Sequence, residues 1–224
     1  KEYFTAPSLF KRPKAKSACL MPITTPMLLA AYNLSVNVYA FHVVDSIASP
    51  TLNAIMQLIG KSFLVVLPLL VLYLYIRKSP NFYSIIIAGV LLYAISDTIK
   101  IIVGEPRPCN VPALSWINKV SCENTFSFPS NHASVLTGLP FFFGKYRILQ
   151  AVYIIWLVLV LFGRVYLGLH YFTDVLAGVI LSLAVSYIIF AYRRRINRVL
   201  DHAVLKILPF AAVSRRLGKS NGDL

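Results

Sequence analysis

Three short segments hold most of the residues in this chain that could do chemistry together. They are Lys100-Ile-Ile-Val-Gly-Glu-Pro-Arg107-Pro108, then Phe128-Pro129-Ser130-Asn131-His132, then Gly163-Arg164 followed by His170 and Asp174. If these segments meet, Lys100, Arg107 and Arg164 crowd three cations into one region, which repulsion disfavours unless an anion joins them. Arginine matches phosphate oxygens with a bidentate fork and lysine adds a compact point charge, so the set suits a phosphate carrying two or three charges. Ser130 and the backbone around Asn131 stand just before an apolar run, where free N–H groups at a helix start would add further donors to that phosphate. His170 and Asp174 are four apart and share one face of a helical turn. The carboxylate can hold one imidazole nitrogen as a donor and leave the other as a nucleophile. His132, on a separate segment, can protonate the leaving oxygen. Two histidines, one carboxylate and three cations suffice for phosphoryl transfer, and neither a metal nor a cofactor is expected.

Something must position these groups, and the composition says what. Of 224 residues, 58% are hydrophobic and 13% charged, about half the charged share of an ordinary soluble domain. The expected fold is therefore all-α, an integral membrane bundle of about six helices. Its spans are predicted at 23–46, 63–76, 82–102, 132–144, 148–166 and 174–192, with an interfacial helix at 49–60 opened by Ser49-Pro50-Thr51. Residues 1–22 read as a basic cytosolic tail, 23–192 as the membrane domain and 193–224 as a second basic cytosolic tail.

Net charge is +14, but no nucleic-acid-binding motif accompanies it and no nucleic-acid partner is expected. With the N-terminus in the cytosol, Arg77-Lys78, Lys145, Arg147, Arg193-Arg194-Arg195 and the basic residues of both tails fall inside, as the positive-inside rule requires. Lys61, Lys100, Arg107, Lys119 and Arg164 remain outside, and three of these five belong to the chemical segments. The site is thus expected on the extracytoplasmic face, with both termini cytosolic and the plasma membrane as the expected location.

The three segments resemble the signature of the type 2 phosphatidic acid phosphatase (PAP2) superfamily, which includes vanadium haloperoxidases and glucose-6-phosphatase. That signature reads K-x6-R-P, P-S-G-H and S-R-x5-H-x3-D, and the matches span residues 100–174. The resemblance implies His170 as nucleophile, Asp174 as its orienting partner and His132 as acid for the leaving group. It also implies Lys100, Arg107, Arg164, Ser130 and the backbone at Asn131 as phosphate ligands. Asn131 stands where the family has glycine, and Gly163 where it has serine, which removes one hydroxyl contact.

Other polar residues have simpler readings. Asp97, one turn before Lys100, is expected to be its charge partner. His42 and Asp45 are placed to satisfy each other. Asp201 and His202 belong to the basic tail, and the Asn33-Leu34-Ser35 sequon lies inside a predicted span. Cys109 and Cys122 bracket an outer loop; they could pair in an oxidising exterior or remain thiols.

The resulting expectation is a membrane lipid phosphatase acting on a lipid phosphate or diphosphate, foremost a polyprenyl diphosphate. Phosphatidate or phosphatidylglycerophosphate could use the same site, and a hydroxyl other than water could accept the phosphate. A transporter or channel is the alternative of another class. It would need its charges near mid-membrane, whereas here they gather at span ends on one side. The haloperoxidase branch is disfavoured by the hydrophobicity of the whole chain. Oligomeric state is left open by these observations.

Overall fold

A computed structural model of the chain describes residues 35–117 and 119–207. The N-terminal tail, Cys19, residues 23–34 of the first predicted span, the Asn33 sequon and residues 208–224 lie outside them. Seven α-helices are described: α1 (Ser35–Ser46), α2 (Pro50–Lys61), α3 (Phe63–Ile76), α4 (Phe82–Val103), α5 (Asn131–Leu136), α6 (Arg147–Tyr166) and α7 (Phe172–Ile207). Short 3-10 turns occur at Pro108–Asn110, Pro112–Ile117 and Leu139–Phe142. Among the described residues there is no strand, and the expected all-α membrane bundle is what the chain forms.

Ser49 caps α2 by accepting from the Leu52 N–H at 3.2 Å, and Pro50 takes the first position, where its missing N–H is no loss. The helix does not stop at Gly60-Lys61-Ser62. Ser62 keeps helical angles, its N–H reaches the Leu58 and Ile59 carbonyls, and α2 runs on into α3 as one stretch of 27 residues. The helix expected to end at residue 60 therefore continues into the stretch predicted as the next span. Four helical stretches among the described residues are long and apolar enough to cross a membrane: Pro50–Ile76, Phe82–Asn110, Arg147–Tyr166 and Phe172–Leu200. Their outer faces are apolar and open, with Leu58, Ile102 and Ile148 all more than two-thirds exposed, as a lipid solvent demands.

The predicted span at 132–144 takes a different form. Ser96 of α4 donates to the Asn131 side chain at 2.7 Å, and Asn81, just before α4, donates to the Phe142 carbonyl at 3.0 Å. The segment thus runs alongside α4 from near its end back to its start, roughly 22 Å of helical rise. It does so as a six-residue helix, a break and a 3-10 turn, largely covered by its neighbours. A broken backbone at membrane depth is tolerated where protein covers it. Ser182 of α7 accepts from the Gly138 N–H at the break (2.8 Å). One turn of α7 earlier, Gly178 lets α5 approach so closely that an added Cβ would stand 2.7 Å from the Ala133 Cβ and 2.9 Å from the Ser130 carbonyl.

Two helices carry the site to its place. On α4, residues Ser84, Ala88, Leu92, Ser96 and Lys100 repeat every fourth position and form its buried stripe. Gly104 ends the helix at φ 64°, with its N–H on the Lys100 carbonyl, and turns the chain towards Arg107. Helix α7 is capped from another helix: Asn37 of α1 accepts from the Thr173 N–H (3.1 Å) and donates to its hydroxyl (3.0 Å). Its far end does not break at residue 192, the end of the sixth predicted span. Helix α7 continues to Ile207, past Asp201 and His202, and Asn197 accepts from the Ser84 N–H and hydroxyl while donating to the Pro80 carbonyl.

Candidate active site

The turn between α6 and α7 buries His170 and sets its tautomer. Its N–H and that of Leu169 both donate to the Arg164 carbonyl, at 3.2 and 3.1 Å, so the peptide folds back over the end of α6. Nη1 of Arg107 lies 3.1 Å from His170 Nε2. A guanidinium can only donate, so Nε2 must be the acceptor and the ring proton sits on Nδ1. Nδ1 faces Asp174 Oδ2 at 3.4 Å, with the Ser127 hydroxyl at the same distance. Ser127 also donates to Asp174 Oδ2, as does the Tyr171 N–H at 2.9 Å. Burial, then the charges of Arg164, Arg107 and Lys100, push the His170 pKa well below the ordinary histidine range. The outcome is a neutral imidazole with its lone pair turned towards the cations.

Arg107 is clamped on every donor. Nε reaches the Thr125 carbonyl (2.9 Å), Nη1 the Leu169 carbonyl (3.0 Å), and Nη2 the Thr125 hydroxyl and Glu123 Oε2 (both 2.7 Å). Arg164 joins the same carboxylate, with Nη2 2.8 Å from Oε1. Glu123 therefore bridges the two arginines. Burial opposes its ionisation, but Arg164 and Arg107 outweigh that and hold its carboxyl below the usual range. Cys122 is disulfide-bonded to Cys109, with Cα atoms 5.7 Å apart, and this ties the segment before Glu123 to the turn after Arg107.

Lys100 is held by backbone carbonyls. Its ammonium lies 3.0 Å from the Phe126 and Ser127 carbonyls and 2.6 Å from that of Pro129. All three donors are used. In this structure Lys100 shapes the loop that presents Ser127 and Ser130 and contributes its charge from below. Its bonded partners are carbonyls, and Asp97, the expected charge partner, acts on it only through its charge. The expected His42–Asp45 pairing is corrected too: His42 stacks on Trp116 (ring centroids 5.1 Å apart), and Asp45 accepts from Lys119 at 3.1 Å.

The PSNH segment arrives from the opposite side. His132, in the first turn of α5, packs edge-on against Phe63 (4.5 Å) and lies within electrostatic reach of Arg164 and Glu123. Asn131 turns its side chain away to Ser96, so the position where the family has glycine is accommodated without filling the site. The Ser130 N–H is not free for an anion, because it donates to the Asp174 carbonyl at 3.1 Å. Gly163 packs against Met56 of α2, whose carbonyl and sulfur would lie 3.6 Å from an added Cβ. Among the residues of the three motifs, Ser130 Oγ, His132 Nε2 and Arg164 Nε are buried donor-capable atoms with no hydrogen-bond partner. Such atoms are costly unless a ligand satisfies them.

Sequence reasoning missed four residues that complete the site. Ser127 and Thr125 are loop residues whose roles depend on through-space partners. Glu105 sits between Lys100 and Arg107, within electrostatic reach of the Asp174 carboxyl. Glu123 was signalled only as a lone acid beside Cys122 in a loop facing three cations.

Comparison with known proteins follows the same lines. The model of the PAP2 superfamily matches residues 81–198. Phosphatidylglycerophosphatase B of Bacillus subtilis is 30% identical over 175 residues, 68% of this chain and 80% of that protein. Undecaprenyl-diphosphatase of Sulfolobus acidocaldarius is 24% identical over 174 residues, 75% of this chain and 84% of that one. The crystal structure of Aquifex aeolicus LpxE superposes with a TM-score of 0.63 at 20% identity, covering 71% of this chain and 98% of that one.

Proposed function

From the premise that this chain belongs to the PAP2 superfamily and is a membrane lipid phosphatase, we propose that it hydrolyses polyprenyl diphosphate through a phosphohistidine at His170. The observation that carries this reading is the orientation of His170, neutral, with the Nε2 lone pair directed at Arg107 and Nδ1 turned to Asp174. Nε2 attacks the terminal phosphorus as the bond to the bridging oxygen breaks. Arg107 and Arg164 neutralise charge on the phosphoryl oxygens. The Ser130 hydroxyl and the Arg164 Nε–H supply donors that have no partner otherwise. His132, which the bound phosphate anion favours in its charged form, gives its proton to the departing oxygen, and polyprenyl phosphate leaves. His132 then takes a proton from water, which attacks the phosphohistidine, and the P–N bond breaks to release inorganic phosphate.

The apolar chain of such a substrate stays in the bilayer while its phosphates enter at the span ends. By the distribution of basic residues, those ends face away from the cytosol in the plasma membrane, with both termini inside. A second reading, phosphatidylglycerophosphate as substrate, is favoured by the 30% identity to the Bacillus subtilis enzyme. The cation set performs the charge neutralisation here, so activity is expected to survive EDTA.

The test is phosphate release by purified protein in detergent with EDTA, on polyprenyl diphosphate, phosphatidylglycerophosphate, phosphatidate and a water-soluble phosphate ester. Polyprenyl diphosphate is expected to give the highest kcat/KM, and His170→Ala to abolish release from all four. A preference for phosphatidylglycerophosphate would select the second reading, and full activity in the variant would remove His170 from the chemistry.

A further inference from the structure

Glu123 occupies the place where a phosphate would be needed. Its two oxygens are divided between the arginines, Oε2 on Arg107 and Oε1 on Arg164, at 2.7 and 2.8 Å. Every N–H of Arg107 is already taken, so a phosphoryl oxygen bound there must displace one of its partners, and the carboxylate is the exposed one, whereas Arg164 still has a free Nε–H to offer. The arginine side chains are almost fully buried, whereas that of Glu123 is 47% exposed. It lies on a stretch, 119–130, that forms neither helix nor strand. Glu123 can therefore swing out while the cations stay. Arg107 in particular keeps the Thr125 carbonyl and hydroxyl and the Leu169 carbonyl when the carboxylate leaves.

We propose that Glu123 is a specificity-determining residue, an internal anion that holds the arginine pair against phosphodiesters and yields it to a terminal phosphate. The distinction is one of charge. A phosphodiester head group carries one negative charge, the same as the carboxylate, and has no advantage over an anion already tethered in place. A phosphomonoester or the end of a diphosphate carries two or more and gains more from two buried cations. A mouth opening among lipids meets phosphodiesters at far higher concentration than any phosphomonoester. Discrimination there needs an element that works against the wrong ligand as well as one that favours the right one. This inference rests on the reading of Arg107 and Arg164 as the phosphate seat.

The test separates binding from turnover. Calorimetric titration of the purified full chain in detergent at pH 8 uses inorganic phosphate as the doubly charged probe and dimethyl phosphate as the singly charged one. The wild type is expected to prefer inorganic phosphate by about tenfold or more. Glu123→Gln, which keeps size and removes charge, is expected to tighten both ligands and dimethyl phosphate more, so that the preference shrinks severalfold. Glu123→Asp, one methylene shorter, should fall between the two and covers the case in which the glutamine variant fails to fold. In turnover assays, phosphatidylglycerol in mixed micelles should become a competitive inhibitor of Glu123→Gln at levels that leave the wild type unaffected. Weaker phosphate binding in both variants, or an unchanged preference, would overturn the proposal and leave Glu123 as a support for the arginines. These titrations need no catalysis: a wild type that binds phosphate selectively but releases none from any lipid would sink the enzymatic reading and not this one.

Discussion

At the residue scale, Ser127 and Glu123 decide how well the motif residues work. Ser127 donates to the same Asp174 oxygen that faces His170 Nδ1, so it fixes the carboxylate that orients the nucleophile. Hydrogen bonds to charged groups are worth about 1.5–3 kcal/mol, so Ser127→Ala is expected to lower kcat about 10–100-fold. KM should change little, because the hydroxyl does not touch the phosphate seat; steady-state kinetics on one lipid substrate checks both. Glu123 gives a pH signature. Its folded pKa is depressed below the ordinary 4.5 by the two arginines. The stability it adds is therefore fully present above about pH 4.5 and lost as pH falls through the lower folded value. The melting temperature of the wild type relative to Glu123→Gln should be constant from pH 8 to 5 and converge under stronger acid. How legible these residues were follows from distance along the chain. His170 with Asp174, and Lys100 with Arg107, are local pairs whose spacing alone suggests a shared face. Ser127 and Asp174 meet across 47 positions, Arg164 and Glu123 across 41, and no spacing rule reports such a meeting.

At the element scale, the site depends on close approach between α5 and α7. Gly178→Ala would press a methyl group to 2.7 Å from the Ala133 Cβ and 2.9 Å from the Ser130 carbonyl. Backbone cannot yield there without moving Ser130 and His132. The variant is expected to lose at least about 1–3 kcal/mol of stability and most of its activity, read by thermal unfolding in detergent and by phosphate release. Asn37→Ala removes the cap of α7 at Thr173 and should cost about 1 kcal/mol, with a smaller effect on kcat. Both features were hidden from a reading of apolar runs. That reading located α4 and α6 nearly to their ends because each is a single uninterrupted stretch. It split Pro50–Ile76 because Gly60-Lys61-Ser62 looks like a stop, although the helical angles of Ser62 carry the chain through. It drew 132–144 as a plain span, because hydropathy does not distinguish a helix from a broken apolar segment sheltered by its neighbours.

For the whole molecule, the arrangement is a lipid-facing shell around polar groups gathered at one end. That gross division was visible in composition and in the placement of basic residues, whereas the depth to which α7 continues was not. Helix α7 is anchored twice. Asp174 is bonded near its start by Ser127 and Tyr171, and Asn197 binds Ser84 and Pro80 at the head of α4. The 23 positions between them correspond to about 35 Å of helix, close to the bilayer's own dimension. A rod fastened at both ends cannot shorten, so a bilayer of the wrong thickness must tilt it, and tilting shifts Asp174 against His170. The enzyme should then act as a caliper. Reconstituted in phosphatidylcholines of graded acyl length, turnover of a water-soluble ester should peak at one thickness and fall on either side. Asn197→Ala, which frees one end of the rod, should flatten that peak.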